Sequence, residues 1–186
     1  MGVHIALLRG VNVGGKLVAM AALRELAARL QLDDARTLLN SGNLVFRSAR
    51  KAAALEKLLE EETRKTLGLA TRFLLRSPAE WDAMIAANPF PGEAKSAPAR
   101  LVAVALAEAP SAAAADALAA AIRGPEMSRV IGRTAYVVYP AGIGTSKLTL
   151  TAIERALATT GTARNWNTVL KLSALARSLA ESAGRK

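Results

Sequence analysis

The stretch LLRGVNVGGKL, residues 7–17, has the residue types of an anion-binding loop. From Gly10 to Lys16 it fits G-x-x-x-x-G-K, the pattern of loops that cradle phosphates, but Leu17 occupies the position of the magnesium-binding Ser or Thr. Its glycines can adopt positive φ and direct backbone N–H groups at an anion, with the cations of Arg9 and Lys16 beside them. The stretch therefore favours an anion-binding loop and excludes a standard nucleoside-triphosphatase loop.

An equally weighted alternative assigns the same loop a structural role. In that case Asn12 and the glycines hold a tight turn against the turn at Ser41-Gly42, because these residue types stabilise tight turns. The residues alone leave both interpretations open.

Further polar and basic residues could complete a binding site. Lys147 lies in the stretch IGTSKL, residues 143–148, and the spacing of Arg164, Asn167 and Lys171 predicts one polar face on the last helix. The predicted ligand-binding residues are Arg9, Gly10, Asn12, Gly14, Gly15, Lys16, Ser41, Asn43, Lys147, Arg164, Asn167 and Lys171.

The lack of cysteine and the single histidine exclude several classes of chemistry. The 186-residue chain has no cysteine and one histidine, so thiol catalysis, disulfides, cysteine-ligated zinc and iron–sulfur clusters are excluded. His4 lies in an apolar run and is predicted to be a strand residue rather than a catalytic base. None of the fifteen acidic residues lies in the glycine-rich loops, so acid–base catalysis would fall to Lys16, Lys147 or Tyr139. No cofactor and no metal ion are expected, and the question of enzymatic activity stays open.

The charge of the chain is compatible with a polyanionic partner. A formal net charge of +10 and a pI near 10.7 could favour nucleic acid, but the basic residues are scattered and form no block. Only 4% of residues are aromatic, and Phe46 is the single candidate on the first predicted sheet for stacking a base. Nucleic-acid binding is therefore less favoured than binding of a small phosphorylated molecule.

Membrane association is not expected from the sequence. The apolar run at residues 3–8 is far shorter than the ~18 residues that a membrane helix needs, and no signal-peptide layout is present. The sequence predicts a cytoplasmic protein without a membrane partner and leaves its oligomeric state open.

The elements of the first half occur in the order β-α-β-β-α-β. Apolar periodicity predicts strands at 3–9, 35–40, 43–47 and 70–76, with helices at 20–30 and around 55–59. This order is that of the ferredoxin-like split βαβ sheet, in which the first and second strands are parallel and the third lies between them. The loop at 10–16 and the turn at 40–43 should therefore meet at one edge of the sheet.

The second half partly repeats this order. Ser77 and Glu80 predict a capped helix, residues 88–92 a linker, and 100–107, 111–122 and 129–139 a strand, a helix and a hairpin turning at Gly132-Arg133.

Two further helix starts are predicted near the C-terminus. They are a capping box at 151–154, which gives Glu154 a structural role, and the last helix from Asn165, with Trp166 on its apolar side. The predicted fold is α+β, with a ferredoxin-like sheet in the N-terminal half, a second, related α+β subdomain and extra C-terminal helices. The predicted domains are 1–88 and 89–186, packed as one compact unit.

Four motifs together carry a family resemblance. ALLRGVNVGGK, LLNSGNLVF, YPAGIGTSKLT and ARNWNTVLKL resemble the DUF1697 family, bacterial proteins of about this size without an assigned biochemical activity. The resemblance implies an α+β fold built from ferredoxin-like halves. The chain differs from many relatives at Thr145, where they carry a basic residue, and in a shorter segment between Lys16 and Met20.

Three function classes follow, in decreasing order of support. The first is a binding or regulatory module for a phosphorylated small molecule or nucleotide. The second is an enzyme that acts on such a ligand through lysine chemistry, and the third is a weak single-stranded nucleic-acid binder.

Overall fold

A computed structural model of the chain describes residues 1–10 and 19–183. The first half contains β1 (Gly2–Leu8), α1 (Met20–Arg29), β2 (Asp33–Leu38), β3 (Asn43–Ser48), α2 (Ala52–Leu67) and β4 (Phe73–Arg76). The rest contains α3 (Pro78–Ala86), α4 (Pro91–Ser96), β5 (Leu101–Leu106), α5 (Ala112–Ala121), β6 (Met127–Ile131), β7 (Thr134–Val138), one 3-10 turn at Ile143–Thr145, α6 (Leu150–Leu157), β8 (Gly161–Asn165) and α7 (Trp166–Ala183).

The first sheet has the strand order β2-β3-β1-β4, and each neighbouring pair is antiparallel. This order confirms the predicted ferredoxin-like arrangement. The backbone N–H of Leu8 donates to the carbonyl of Gly42 at 2.8 Å, so the end of β1 lies beside the β2–β3 turn. The shared edge is confirmed up to this point, and residues 11–16 of the loop lie outside the described residues.

The second sheet repeats the first, with the order β6-β7-β5-β8. The N–H of Leu106 donates to the turn carbonyl of Arg133 at 3.0 Å, the bond that Leu8 and Gly42 make in the first sheet. The predicted second, related α+β subdomain is therefore confirmed.

Each sheet packs its helices on an apolar face. In the first core, Leu23 and Leu26 of α1 and Leu55 and Leu59 of α2 have 0–1% exposure, at the spacing of one helix face. In the second core the corresponding residues are Leu118 of α5 and Ile153 and Leu157 of α6. Full burial of one such side chain contributes about 1.5–3 kcal/mol, so the apolar periodicity sets where the helices lie.

Two predicted helix starts are confirmed. The Ser77 N–H donates to the Glu80 carboxylate at 2.8 Å, and the Glu80 N–H donates to the Ser77 hydroxyl at 3.2 Å, which is a capping box. At the start of α7 the Thr168 N–H donates to the Asn165 side-chain oxygen at 3.0 Å. Local sequence was sufficient at both positions because a cap satisfies backbone groups within one turn.

The predicted capping box at 151–154 is wrong. The cap of α6 is Thr149, whose hydroxyl accepts from the Ala152 N–H at 3.2 Å. Glu154 instead accepts from the Gly161 N–H of the edge strand β8 at 2.8 Å. Its role is structural as predicted, but with a partner seven residues away.

Two further predictions need correction. The linker at 88–92 runs into the short helix α4, which begins at Pro91. Strand β8 was not predicted because its sequence, GTARN, has no large apolar residue. Arg164 consequently belongs to this strand and not to the polar face of the last helix.

By its internal contacts the chain divides into two compact units, Met1–Asp82 with Lys171–Lys186, and Ala83–Leu170. The predicted domain ranges, 1–88 and 89–186, stay a prediction. Over the described ranges no helix is both long and apolar enough to cross a membrane. The same ranges contain no group of three or more His, Cys, Asp or Glu side chains that could hold a metal ion.

Candidate functional site

The two repeats differ most in the length of the connection from the third strand to the second helix. In the first unit three residues, 49–51, connect β3 to α2, and the Arg50 side chain donates to the Leu30 carbonyl at 3.3 Å. In the second unit eleven residues, 139–149, connect β7 to α6. Binding residues occur disproportionately often on loops that a rigid scaffold positions, so this longer connection marks a candidate site.

This longer loop borders a cavity of about 350 Å³. The volume falls in the range of roughly 300–1,000 Å³ that is typical of small-molecule sites. Most of its wall is apolar or small, with five side chains that carry a charge or a hydroxyl group: Arg123, Glu126, Thr145, Ser146 and Lys147. The remaining described lining residues are Ala121, Gly124, Pro125, Ala141, Leu148 and Ala152.

Hydrogen bonds within the loop give it a defined shape. Gly142 has φ +92°, which favours glycine, and its N–H donates to the Tyr139 carbonyl at 2.9 Å. The Tyr139 hydroxyl is buried and donates to the Leu148 carbonyl at 3.0 Å, which joins the two ends of the loop. The Thr145 hydroxyl contacts the Ala141 carbonyl at 3.2 Å. Ser146 and Lys147 therefore belong to a hydrogen-bonded segment.

Glu126 and Ser146 form a hydrogen-bonded pair in the cavity wall. The Ser146 hydroxyl donates to the Glu126 carboxylate and also accepts from the Leu148 N–H at 3.0 Å. The hydrogen bond from Ser146 lowers the pKa of Glu126, so its carboxylate is ionised at neutral pH. A Cβ added at Gly124 would collide with Glu126 Oε2, so the absence of a side chain there gives the carboxylate its space.

Two cations accompany this carboxylate. Arg123 and Lys147 are both exposed, and neither forms a hydrogen bond or ion pair through its side chain with the described residues. Over the described lining residues, two positive charges against the one negative charge of Glu126 give a net charge of +1. The arrangement can bind an anion at the cations and a hydrogen-bond donor at the carboxylate.

The structure gives no support to acid–base chemistry by Tyr139. Burial, with a smaller contribution from the charge of Glu126, raises the pKa of Tyr139 to about 12. Its hydroxyl is therefore neutral at pH 7, and its role is the hydrogen bond to the Leu148 carbonyl that stabilises the loop. Lys147 is exposed, so the burial that lysine chemistry usually requires is not found there.

The predicted residues of the β2–β3 turn hold that turn together. Asn43 is fully buried, and its side-chain amide donates to the Leu38 carbonyl and the Ser41 hydroxyl, both at 2.8 Å. Gly42 has φ +68° within the turn. These contacts match the structural alternative for Ser41 and Asn43, and their part in ligand binding stays a prediction.

The described part of the first loop continues this edge. The N–H of Arg9 donates to the Arg72 carbonyl at 2.9 Å, its carbonyl accepts from the Thr71 hydroxyl at 2.5 Å, and Gly10 has φ +66°. The remaining predicted ligands of this loop, which lie outside the described residues, are Asn12, Gly14, Gly15 and Lys16.

The three predicted ligands near the last helix do not line the cavity. Arg164 is buried in β8, where its side chain donates to the Thr162 hydroxyl and the Ala163 carbonyl, both at 2.8 Å. Burial lowers the pKa of Arg164 to about 10. Asn167 and Lys171 are exposed on α7.

Arg164 has a counterpart in the first unit. The side chain of Arg76, at the matching position of β4, donates to the Leu75 carbonyl at 2.8 Å. Since both repeats contain this buried arginine, its conformation belongs to the repeated fold.

His4 lies in β1 as predicted. Its ring stacks on Phe46 with the centroids 5.6 Å apart, and burial lowers its pKa. The contact assigns His4 to the packing of the first sheet.

Of the charged residues that line the cavity, Lys147 was predicted from the sequence as a ligand-binding residue, whereas Arg123 and Glu126 were not. They flank Gly124 and Pro125 in the connection between α5 and β6, where the order Arg-Gly-Pro-Glu indicates only a charged turn. The two opposite charges directly before a strand are the signal that could have identified this turn. Its proximity to Lys147 depends on the pairing of β6 with β7.

Comparisons with known proteins are informative about the family and the fold. A family model described as "Protein of unknown function (DUF1697)" matches residues 1–136. A solved structure, of the conserved bacterial protein SP0830 from Streptococcus pneumoniae, is 22% identical and has a TM-score of 0.74, with 95% of this chain and 99% of that chain covered. No curated protein matches the chain. At this identity the structural likeness shows the fold alone.

Proposed function

We propose that this chain, which belongs to the DUF1697 family, is a binding module for a phosphorylated small molecule, with its site in the cavity beside Lys147. The observation that carries this proposal is the cavity of about 350 Å³ with Arg123 and Lys147 at its wall. The family match ends at residue 136, so Lys147 and the loop that bears it lie outside the matched segment.

Charge complementarity supports a phosphate group. A phosphate monoester carries about −1.5 to −2 charges at pH 7, and Arg123 and Lys147 together supply two positive charges. The hydroxyl protons of Ser146 and Thr145 are donated to the Glu126 carboxylate and the Ala141 carbonyl, so the two cations recognise the phosphate. The ordered loop fixes the backbone that bears Lys147 before the ligand arrives, which lowers the entropic cost of binding.

The aromatic side chains favour a small ligand over single-stranded nucleic acid. RNA-recognition sheets stack bases on exposed aromatic residues. Here all seven aromatic residues are within the described ranges, six are at most 4% exposed, and Phe90 is partly buried. No described aromatic residue offers a stacking platform.

Calorimetric titration of the parent protein with inorganic phosphate and pyrophosphate at low salt tests the proposal. Hydrogen bonds to charged groups contribute about 1.5–3 kcal/mol, so Lys147→Ala and Arg123→Ala should each weaken binding roughly 10–100-fold. Arg155→Ala is the matched control, because it removes one exposed cation from the same unit without touching the cavity.

Equal affinities of the parent, Lys147→Ala and Arg123→Ala for both anions would refute the cavity as the site. If Lys16→Ala alone reduced binding, the predicted loop at 10–16 would be the site instead. The proposed setting is the cytoplasm, where phosphorylated metabolites are abundant, and fractionation of cells that express the tagged chain would test it.

A further inference from the structure

The cavity combines two cations with a carboxylate, and we propose that its ligand is a phosphorylated sugar whose hydroxyl groups donate hydrogen bonds to Glu126. This inference rests on the proposed function and adds the class of ligand and a residue that determines specificity.

Glu126 keeps acceptor capacity that the fold does not use. An ionised carboxylate has about four lone-pair positions, of which the Ser146 hydroxyl, at Oε1, and the backbone N–H of Glu126 use two. The other oxygen, Oε2, lies beside Gly124, where there is no side chain. Carboxylates in this role accept hydrogen bonds from ribose hydroxyls in dinucleotide-binding proteins, so the chemistry suits a polyhydroxylated ligand.

The lining favours a sugar phosphate over a nucleotide. Among the described lining residues none is aromatic, and none carries a side-chain amide that could pair with the edge of a base. The apolar wall consists mainly of small residues such as Ala121, Pro125 and Ala152. A cavity of about 350 Å³ is also at the small end of ligand sites, which suits a single sugar ring with its phosphate.

Glu126 also opposes the binding of a simple anion. Its negative charge weakens the binding of any phosphate held by Arg123 and Lys147, and hydroxyl donors of a ligand offset this repulsion. The carboxylate therefore discriminates between a phosphorylated sugar and a phosphate ester without hydroxyl groups.

The test compares ribose 5-phosphate with propyl phosphate, which lacks the sugar hydroxyls, by calorimetric titration of the full chain. The parent should prefer ribose 5-phosphate at least tenfold. Glu126→Gln retains an acceptor for Ser146 and should weaken ribose 5-phosphate about tenfold while it strengthens propyl phosphate about threefold. Gly124→Ala, whose Cβ displaces the carboxylate, should reduce the same preference. The matched control, Asp116→Asn, removes an exposed acid of the same unit outside the cavity and should leave the preference unchanged.

An unchanged preference in Glu126→Gln, with both ligands still weakened by Lys147→Ala, would overturn the sugar inference and leave the proposed function standing. AMP binding more than tenfold tighter than ribose 5-phosphate would also overturn it in favour of a nucleotide. If the parent binds none of the phosphate compounds, the proposed function fails together with this inference.

Discussion

Tyr139 should make the stability of the protein depend on pH in the alkaline range. Its side chain is 2% exposed, and burial raises its pKa from 10.0 to about 12. Because the folded protein holds the phenolic proton more tightly than the unfolded chain does, the stabilisation is fully present below pH 10 and is lost as the pH rises towards 12. A shift of two pKa units corresponds to about 2.7 kcal/mol, so the expected loss is about 2–3 kcal/mol.

Tyr139→Phe isolates this effect. At pH 7 the variant should be less stable by about 1 kcal/mol, since it loses the hydrogen bond to the Leu148 carbonyl. Between pH 10 and 12 its free energy of unfolding should fall by about 2–3 kcal/mol less than that of the parent. Urea denaturation at several pH values measures both quantities.

The comparison of the two proteins removes the contribution of other groups. Burial also raises the pKa of Tyr136 to about 12, which adds a loss of the same sign, and lowers the pKa of Arg164 to about 10, which has the opposite sign. Both contributions are present in the parent and in Tyr139→Phe. Parallel pH profiles for the two proteins would refute the assigned burial of the Tyr139 hydroxyl.

Four further predictions concern the fold and the charged residues. Trp166→Ala should cost about 3–5 kcal/mol in a denaturant melt, because Trp166 is 4% exposed and contacts Tyr136 with the ring centroids 6.4 Å apart. Lys16→Ala and Lys147→Ala should each change stability by no more than about 0.5 kcal/mol without ligand, and a larger loss would return that lysine to a structural role. Gly161→Ala should cost about 1–3 kcal/mol, because its Cβ would lie 2.8 Å from Val104 Cγ1, and an unchanged melting temperature would contradict this packing. Binding of single-stranded oligonucleotide should be weak and vanish near physiological salt, with log K falling by about 0.7 per neutralised phosphate for each unit of log salt, and tight sequence-dependent binding there would reverse the order of functions.

The sequence by itself determined the features that depend on local interactions. The ferredoxin-like order of the first half followed from apolar periodicity, since a helix or strand buries one face at a fixed spacing. The caps at Ser77 and Asn165 followed because their partners are three residues away. Trp166 was placed on the buried side of α7 by the helical spacing of its apolar residues.

Only the tertiary structure decided the contacts between distant segments. Glu154 was predicted to cap its own helix, but its carboxylate instead accepts a hydrogen bond from the Gly161 N–H of the edge strand β8. Arg164 was expected at the surface of a helix, whereas pairing of β8 with β5 places it in a buried strand.

The residues of the candidate site are likewise brought together by strand pairing. Lys147 was predicted from its position in a loop, but Arg123 and Glu126 are more than twenty residues away from it along the chain. They reach the same wall because β6 pairs with β7, and because the hydroxyl of Ser146 donates to Glu126. Apolar periodicity and helix caps reflect interactions between residues that are close in sequence. A binding site depends on the close approach of distant residues, which only strand pairing brings together.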